Sequence, residues 1–366
     1  MIGVLGGHGS VGAHAARLLA RQGAGPLRIG GRDLDRVRRF TDASLPGADA
    51  QPVRADIEDP VSLAAFVDGC ELVVHCAGPS RRTSGTTALA ALRAGASVVD
   101  AGGGERAAGT VGDVGERTVL WDAGALPGLS GLLPRALAAA HFDTVHRLTA
   151  YAGVLDRFTA TGADDYLDGV LGPLSEPLAA WRGGARRSGA ARSRTGQDLP
   201  AFPRPVALHP YLDGEAERLA RDLSLTEGTW YTAFDGDHLA AALAAARTRD
   251  RAEAVRAVCA AAALDTAGRA PHATLLVQLD GAARGTPRTR TAVLRAPGVS
   301  ALTGAVAAVA ALAVLRGETP PGAHPAAAAL DPAAVLARLT ADPAVCRLDV
   351  HEAAADEPAA VEEGAL

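Results

Sequence analysis

The absence of lysine limits which residues of this chain can move a proton. Its 366 residues include no lysine, so all 36 basic side chains are arginine. This excludes a lysine Schiff base and a lysine general acid or base. A proton donor must therefore be histidine, tyrosine, aspartate, glutamate, cysteine or water.

Two stretches in the middle of the chain concentrate such donors. One runs from Asp156 to Tyr166, and the other is His209-Pro-Tyr-Leu-Asp-Gly-Glu215, which we predict to be a polar turn ahead of a helix. Histidine titrates near the operating pH and a neighbouring acid can tune its pKa, so the second stretch supplies the leading donors. The predicted catalytic residues are His209 and Tyr211, followed by Asp165 and Tyr166.

Each of these residues also has a structural interpretation, which the sequence leaves open. Asp165 can cap a helix, and Tyr166 can be a core aromatic residue with a satisfied hydroxyl. A third polar patch, from Trp230 to His238, has the same ambiguity. The identity of the donor therefore stays open among these residues.

The start of the chain predicts a cofactor. A short apolar run, Ile2 to Leu5, meets a glycine-rich turn and then an apolar helical pattern. The turn fits G-x-G-x-x-G, whose glycines allow a tight strand-to-helix turn, close approach of the backbone to a pyrophosphate, and packing of helix on strand. Free N–H groups at the helix start favour the diphosphate. The residues predicted to bind a dinucleotide here are Gly7, His8, Gly9, Ser10, Val11 and Gly12.

The end of the next strand distinguishes NADP from NAD. An NAD site usually places Asp or Glu about 20 residues past the glycines, where it binds the ribose hydroxyls. That place reads Gly30-Gly31-Arg32 here. A small residue beside an arginine leaves room for a 2′-phosphate and gives it a bidentate partner, so Gly31 and Arg32 predict NADP. The alternative is an ordinary surface role for Arg32, with Asp33 as the ribose acid.

Loops after other strands are predicted to complete the cofactor site, because ligands bind at the carboxyl ends of the strands in such sheets. One loop would flank the adenine, one would meet the ribose or nicotinamide half, and one would lie near the reaction centre. Asp100 is as well suited to capping its loop as to touching a substrate. The predicted residues are Asp56 and Ile57, Ala77, Gly78 and Pro79, Asp100 and Gly102, and Gly124.

The order of elements predicts the fold class. Strands and helices alternate from residue 1 to about residue 124, which is typical of an α/β fold with a doubly wound parallel sheet. Residues 143–297 mix strand-like and helical runs, which predicts an α+β domain with helices on one face of an open sheet and the cofactor cleft on the other. The acidic residues 351–366 are predicted to be disordered.

Charge and composition exclude several classes of protein. The net charge is −5 and no basic stripe is interleaved with aromatic residues, so nucleic acid is not an expected partner. Four cysteines without metal-ligand spacing fit buried thiols in a reducing compartment, and we expect no metal. The segment from Val299 to Leu315 is short and alanine-rich, which predicts a buried helix and no membrane contact. No signal peptide precedes the first strand, so we predict a cytoplasmic protein.

Taken together, the motifs resemble those of the saccharopine dehydrogenase-like reductases. The resemblance implies a Rossmann domain, formed by residues 1–142 and 298–350, that is interrupted by a substrate and dimerisation domain at 143–297. It also implies a homodimer. The motifs that carry it are Gly6-Gly-His-Gly-Ser-Val-Gly12, Gly30-Gly-Arg32, Cys76-Ala-Gly-Pro79, Val98-Val-Asp-Ala-Gly-Gly103, Ala123-Gly-Ala-Leu-Pro-Gly-Leu-Ser130 and Leu302-Thr-Gly304.

The resemblance implies chemistry at C–N bonds with a nicotinamide cofactor. Reducing C=N needs little activation, because protonating the nitrogen makes the carbon electrophilic, and we therefore predict an NADP-dependent imine reductase of specialised metabolism. More specifically, the chain resembles imine reductases of siderophore biosynthesis, which reduce a thiazoline to a thiazolidine on a carrier protein. The alternatives are a saccharopine-type amino-acid or polyamine dehydrogenase, an enoyl reductase, or a non-enzymatic NADP-sensing protein.

One basic segment bears on the nature of the substrate. Residues 183–205 combine glycine and serine with five arginines, which predicts a mobile basic loop. It is either an ordinary solvated loop or a docking surface for an acidic substrate or carrier protein. The substrate is thus a small molecule, free or tethered to a carrier protein. The arginines are Arg186, Arg187, Arg192, Arg194 and Arg204.

Overall fold

The computed structural model describes residues 1–172 and 175–357, apart from the side chains of residues 105 and 106. Up to residue 142 the elements are β1 (Ile2–Leu5), α1 (Gly12–Arg21), β2 (Leu27–Gly31), α2 (Leu34–Ser44), β3 (Ala50–Arg54), α3 (Pro60–Val67), β4 (Leu72–His75), α4 (Ser80–Arg93), β5 (Ser97–Asp100), α5 (Gly104–Ala108), β6 (Thr118–Trp121) and α6 (Leu129–His141). The elements that follow are β7 (Thr144–Leu155), α7 (Ala160–Leu171), β8 (Ser175–Pro177), β9 (Ala180–Arg182), β10 (Ala185–Arg187), β11 (Arg194–Gln197), β12 (Val206–Asp213), α8 (Gly214–Asp222), β13 (Glu227–Phe234), α9 (Asp237–Ala246), α10 (Arg251–Asp265), β14 (His272–Ala283), β15 (Thr286–Ala296), α11 (Val299–Leu315), β16 (Gly322–Pro325), α12 (Ala326–Ala329), α13 (Pro332–Thr340) and β17 (Arg347–His351).

The chain divides into two compact units, each built from two segments. Unit 1 consists of Met1–Leu132 and Val299–Val345, and unit 2 consists of Leu133–Gly298 and the chain from Cys346 onward. The first boundary falls inside α6, whereas we predicted it just after that helix, at residue 142. A helix that continues through a boundary shows no break in its sequence pattern.

Unit 1 is built on a seven-stranded parallel sheet in the order β16-β6-β5-β4-β1-β2-β3. Every residue of β1, β4 and β6 is buried. Strands covered on both faces read as continuous apolar runs, which is why these strands are recognisable in the sequence. The predicted α/β fold with a doubly wound parallel sheet is confirmed.

Helix α11 is a buried element of unit 1, as its composition predicted. Its residues from Gly304 to Ala313 are all buried. It packs against α1 at Gly304, where a Cβ would lie 2.5 Å from the Val11 carbonyl oxygen and 2.7 Å from Cβ of His14. Within residues 1–172 and 175–357, no helix has the length and apolar character needed to cross a bilayer.

Unit 2 contains a ten-stranded mixed sheet, in which β7 and β13 pair in parallel and the other pairs are antiparallel. Helices α7, α9 and α10 form an apolar cluster with Ala207 and Phe234 from one face of this sheet. Strands β14 and β15 form a hairpin whose turn is Arg284-Gly285, with φ values of 50° and 74°.

Two polar stretches of unit 2 differ from their predicted structure. Residues 209–213 lie in strand β12, and only Gly214 begins the helix. Burial alternates along this strand, and its even-numbered residues face an apolar core. The sequence predicted a turn because Pro210 and Asp213 are residue types common in turns. Part of the segment 183–205 is also ordered, because β9 and β10 form a hairpin with its turn at Gly183 and Gly184.

The end of the described chain also differs from the prediction. Strand β17 pairs with β15, so residues after Cys346 belong to unit 2 and not to unit 1. Beyond the strand, the Thr291 hydroxyl donates to the Ala353 carbonyl at 2.7 Å, and the Ala355 N–H donates to Gln278 Oε1 at 2.9 Å. Hydrogen bonds thus hold part of the predicted disordered tail, 351–366, on the sheet, and residues 358–366 lie outside the described residues.

The contact between α1 and α11 yields a stability prediction. We expect Gly304→Ala to lower the free energy of unfolding by about 1–3 kcal/mol, because the added Cβ forces two helix backbones apart. Gly169→Ala is the matched control: Gly169 lies in α7 with no atom within 4 Å of an added Cβ. It should stabilise unit 2 by about 0.4–1 kcal/mol. Urea unfolding curves of both variants measure the difference, and equal stability of the two would contradict the prediction.

Candidate functional site

Four neighbouring strands of unit 1 end side by side. Leu5 at the end of β1 is paired with Gly30 of β2 and His75 of β4, and His75 is paired with Asp100 of β5. The loops that follow these strands therefore open at one edge of the sheet, which we call the dinucleotide edge. The residues predicted to bind the cofactor all lie between the end of a strand and the start of a helix at this edge: Gly7, His8, Gly9, Ser10, Val11, Gly12, Gly31, Arg32, Asp56, Ile57, Ala77, Gly78, Pro79, Asp100, Gly102 and Gly124.

The glycine loop after β1 is closed by backbone hydrogen bonds. The N–H groups of Gly6 and Gly7 both donate to the Gly30 carbonyl, at 2.9 and 3.2 Å. A Cβ on Gly12 would overlap the Gly6 carbonyl oxygen, as expected for the glycine that lets helix and strand pack. The left-handed residue is Gly6, with φ 77°, whereas we assigned the tight turn to Gly7. The doublet Gly6-Gly7 could have indicated this in the sequence, since only Gly7 fits G-x-G-x-x-G and Gly6 is an additional glycine.

The turn after β2 gives Asp33 and Arg32 different roles. Asp33 accepts the N–H of Arg36 at 3.0 Å as the cap of α2, and its carboxylate lies 3.2 Å from the Arg36 guanidinium. The hydrogen bond from the Arg36 N–H and the nearby arginines hold the pKa of Asp33 below its ordinary value. Arg32 is exposed beside it. Asp33 thus stabilises the helix start, which favours Arg32 over Asp33 as the residue that recognises the ribose.

Asp56 and Ile57 lie in the loop after β3, where we predict that the adenine binds. Asp56 Oδ1 accepts the N–H of Glu58 at 3.2 Å, and the Asp56 N–H donates to Ser62 Oγ at 3.0 Å. Ile57 packs against a core cluster that includes Phe66. The loop is therefore held from both sides, and its contact with adenine stays a prediction.

A buried hydrogen-bond chain holds the loop after β4. His75 Nε2 lies 3.1 Å from the Thr83 hydroxyl, which lies 3.0 Å from the carbonyl oxygens of both Ala77 and Pro79. Because the hydroxyl donates its hydrogen to a carbonyl, we assign His75 Nε2 as the donor to Thr83. These hydrogen bonds fix the loop that we predict to meet the ribose or nicotinamide half of the cofactor. The sequence did not reveal this role, since Thr83 lies on α4 with no spacing that marks it.

Asp100, at the end of β5, is buried with only 1% of its surface exposed. Its Oδ1 accepts the Gly102 N–H at 2.9 Å, whereas its Oδ2 has no hydrogen-bond partner among the described residues. Capping the loop is thus observed for one oxygen, and contact of Asp100 with a substrate stays a prediction. Burial, with a smaller contribution from Asp100, raises the pKa of Cys76 to about 12, which leaves a neutral thiol that is a poor nucleophile.

Unit 2 brings three of the predicted donors to the face of its sheet that α7, α9 and α10 cover, whereas we predicted the cofactor cleft on the face without helices. His209 and Tyr211 are two residues apart on β12, so they point to the same side. The His209 ring packs edge-on against Phe234 at 5.4 Å between centroids, and its Nδ1 lies 3.3 Å from Ser193 Oγ. Tyr166 from α7 joins this group. Burial raises the pKa of Tyr166, and Tyr211 is close enough to raise it further.

The ionisation of these donors follows from their burial. Burial lowers the pKa of His209, and it raises the pKa of Tyr211 while Arg247 opposes that shift. All three groups are therefore held in their neutral forms near pH 7. The two phenols keep a proton to donate, whereas His209 offers a free nitrogen that can accept one.

Asp165 and the third polar patch are placed differently. Asp165 precedes Tyr166 on α7, so its side chain leaves the helix about 100° away from that of Tyr166. Tyr231 stacks on Tyr151, at 5.4 Å, on the opposite face of the sheet from His209. His238 Nδ1 lies 2.8 Å from Asp265 and thus belongs to the start of α9. These residues do not join the group formed by His209 and Tyr211.

Comparison with known families identifies the first part of the chain. Residues 2–118 match the family model of the saccharopine dehydrogenase NADP binding domain. This match covers the glycine loop, Arg32 and the loop after β4, and it supports both the resemblance drawn from the motifs and NADP as the cofactor. No curated protein matches the chain.

Several solved structures are similar to this chain over part or most of its length. Apo histidine-tagged saccharopine dehydrogenase (L-Glu forming) from Saccharomyces cerevisiae matches with a TM-score of 0.65 and 13% identity, over 95% of this chain and 99% of that chain. The DAP dehydrogenase of C. glutamicum in complex with DAP matches with a TM-score of 0.45 and 15% identity, over 91% and 94% of the two chains. A triphenylmethane reductase from Citrobacter sp. complexed with NADP(H) shares 21% identity over 28% of this chain and 37% of that chain, with a TM-score of 0.23. The first of these matches shows that the chain has the fold of that dehydrogenase.

The hydrogen-bond chain behind the β4 loop yields a prediction on cofactor binding. We expect Thr83→Val to raise the dissociation constant of NADPH about tenfold, since it removes the hydrogen bonds that hold the Ala77 and Pro79 carbonyls and the loop must then be ordered on binding. Thr86→Val on the exposed side of the same helix is the matched control and should bind as the wild type does. Fluorescence titration with NADPH measures both constants. Equal constants for the two variants would show that the Thr83 hydroxyl does not hold the loop.

Proposed function

We propose that this chain, whose residues 2–118 match an NADP-binding domain, is an NADP-dependent oxidoreductase that reduces a C=N bond. The observation that supports it most is the dinucleotide edge, where the glycine loop, Arg32 and the β4 loop lie side by side at the ends of parallel strands. NADPH, when bound there, supplies a hydride. The glycine loop would hold the diphosphate, Arg32 the 2′-phosphate, and the Ala77-Gly-Pro79 loop the nicotinamide half.

The choice of a C=N bond rests on the donors in unit 2. An imine must be protonated at nitrogen, and Tyr211 carries a proton on the same strand face as the His209 imidazole. Tyr211 would hold a proton at the substrate nitrogen, Tyr166 would lie behind it, and His209 would return the proton from solvent. The absence of lysine from the chain is consistent with a reaction that needs no Schiff base on the protein.

As a finer proposal, the substrate is a cyclic imine, such as a thiazoline, tethered to an acidic carrier protein in siderophore biosynthesis. Arg187, Arg192, Arg194 and Arg204 are exposed, which leaves them available to a negatively charged partner. Arg186 is not available in this way, because it pairs with both Glu176 and Glu217. We further propose that the protein acts in the cytoplasm as a homodimer, with unit 2 as the substrate and dimerisation domain.

A turnover assay tests the proposed function. Loss of NADPH absorbance should follow addition of a cyclic imine, with the carrier-bound thiazoline turned over faster than the free one. The same assay takes an enoyl thioester as an alternative substrate, and the reverse direction takes amino acids and polyamine conjugates with NADP. Turnover of the enoyl thioester alone, or of amino acids alone, would replace the C=N proposal. Tight NADPH binding without turnover of any of these would favour an NADP-sensing protein.

The donors have their own test. We expect Tyr211→Phe to lower kcat about a hundredfold, within the usual contribution of a positioned acid. His209→Gln should lower it as well, and should remove a pH dependence centred below the ordinary histidine value, because burial lowers the pKa of His209. Tyr231→Phe on the opposite face is the matched control and should keep wild-type turnover. If Tyr211→Phe and His209→Gln both keep it too, the donor assignment is wrong.

A further inference from the structure

We propose that His8 binds the 2′-phosphate of NADP together with Arg32, and so contributes to the choice of NADP over NAD. This inference rests on the proposed cofactor and goes beyond it, because it gives a role in specificity to a residue of the glycine loop. In most such loops the backbone, not a side chain, makes the contact with the cofactor.

The position of the His8 ring carries the inference. A Cβ on Gly31 would lie 2.5 Å from Nδ1 of His8 and would overlap its Cε1. The imidazole thus occupies the space above the last residue of β2 that any other residue at position 31 would fill. The end of this strand is where a Rossmann domain meets the ribose 2′ position of its cofactor. His8 and Arg32 therefore approach the same position from two different loops.

The ring also has an unused hydrogen-bonding group. Nδ1 of His8 is buried and has no hydrogen-bond partner among the described residues. A buried polar atom without a partner is unfavourable, so a ligand oxygen that reaches Nδ1 gains binding energy. A phosphate oxygen accepts a hydrogen bond from a protonated imidazole, and that charge-assisted bond is among the stronger kinds.

Burial favours the neutral form of His8 before the cofactor binds, and the nearby charges modify this effect. Burial lowers the pKa of His8, Asp33 at the start of α2 opposes this shift, and Arg36 one turn later adds to it. Arg32 contributes a further positive charge from the end of β2, and the glycine loop itself contributes none. A phosphate dianion beside the ring would favour its charged form and raise the pKa.

A direction of pH dependence follows. Since the pKa of His8 rises on binding, NADPH binding takes up a proton. The added affinity is fully present below the pKa of the free protein and is lost as the pH rises through the pKa of the complex. NADH has no 2′-phosphate, so its affinity should not depend on His8. The ratio of the NADH and NADPH dissociation constants should therefore fall as the pH rises.

Cofactor titrations of four proteins test the inference. Dissociation constants for NADPH and NADH would be measured from about pH 6.5 to about pH 8.5, where the phosphate is mostly a dianion and free His8 is already neutral, so that any proton on His8 is one taken up on binding. The proteins are the wild type, His8→Asn, Arg32→Ala and, as a matched control with an exposed histidine of unit 2, His146→Gln.

We expect His8→Asn to weaken NADPH binding about tenfold near the low end of the pH range, which corresponds to about 1.4 kcal/mol. It should leave NADH unchanged and flatten the pH dependence of the ratio. Arg32→Ala should weaken NADPH at every pH, and His146→Gln should change neither constant.

The outcomes separate this inference from the proposed function. If the wild type binds neither cofactor, the proposed function fails. If it binds NADPH and His8→Asn keeps both the ratio and its pH dependence, His8 does not contact the phosphate and the inference is overturned.

A second measurement uses only the wild type, so it does not depend on the folding of a variant. Calorimetry of NADPH binding in buffers of different ionisation enthalpy should show net proton uptake, and NADH binding should show none. Arginine binding to the phosphate would by itself lower the phosphate pKa and release protons, which is the opposite sign. Net proton release on NADPH binding would therefore also overturn the inference.

Discussion

At the start of α1 the backbones of Gly6 and Gly12 lie so close together that a single added Cβ would force them apart. This close approach brings the free N–H groups at the amino end of α1 up to the end of β1, and the rest of unit 1 depends on it. A Cβ on Gly6 would lie 2.9 Å from the backbone nitrogen of Ala77, so the glycine loop and the β4 loop are also in contact. The dinucleotide edge is therefore one closely fitted surface in which glycine makes the contacts possible.

Much of unit 1 could be predicted because its physical constraints are local. Buried parallel strands leave continuous apolar runs, and glycine-dependent turns leave glycines at fixed spacing. Parts of unit 2 were harder, because tertiary contacts decide them. Strand β12 contains Pro210 and ends at Asp213, both common in turns, and only the alternating burial of its other residues makes it a strand. The segment after β17 is acidic, and hydrogen bonds to Gln278 and Thr291 hold it, which composition does not reveal.

The candidate site divides along the same line. The residues predicted at the dinucleotide edge lie there because strand ends in a parallel sheet are neighbours whatever their distance in sequence. The hydrogen-bond chain from His75 through Thr83 was not predicted. It joins the end of a strand to the side of a helix, and the sequence separation between two such residues is not fixed. In unit 2 the donors could be named by type, but only the strand register shows that Tyr211 and His209 share a face while Tyr231 lies on the other.

Each unit is assembled from two segments that are far apart in the sequence, and this affects how the chain emerges from the ribosome. Residues 1–132 appear first, but α11, the buried helix they pack against, begins only at Val299. At the usual rate of synthesis the intervening residues take on the order of ten seconds to appear, during which the apolar surface that α11 covers stays open to solvent. Unit 2 in turn lacks its edge strand β17 until after unit 1 is complete. Both units can therefore be completed only when synthesis of the chain is nearly finished.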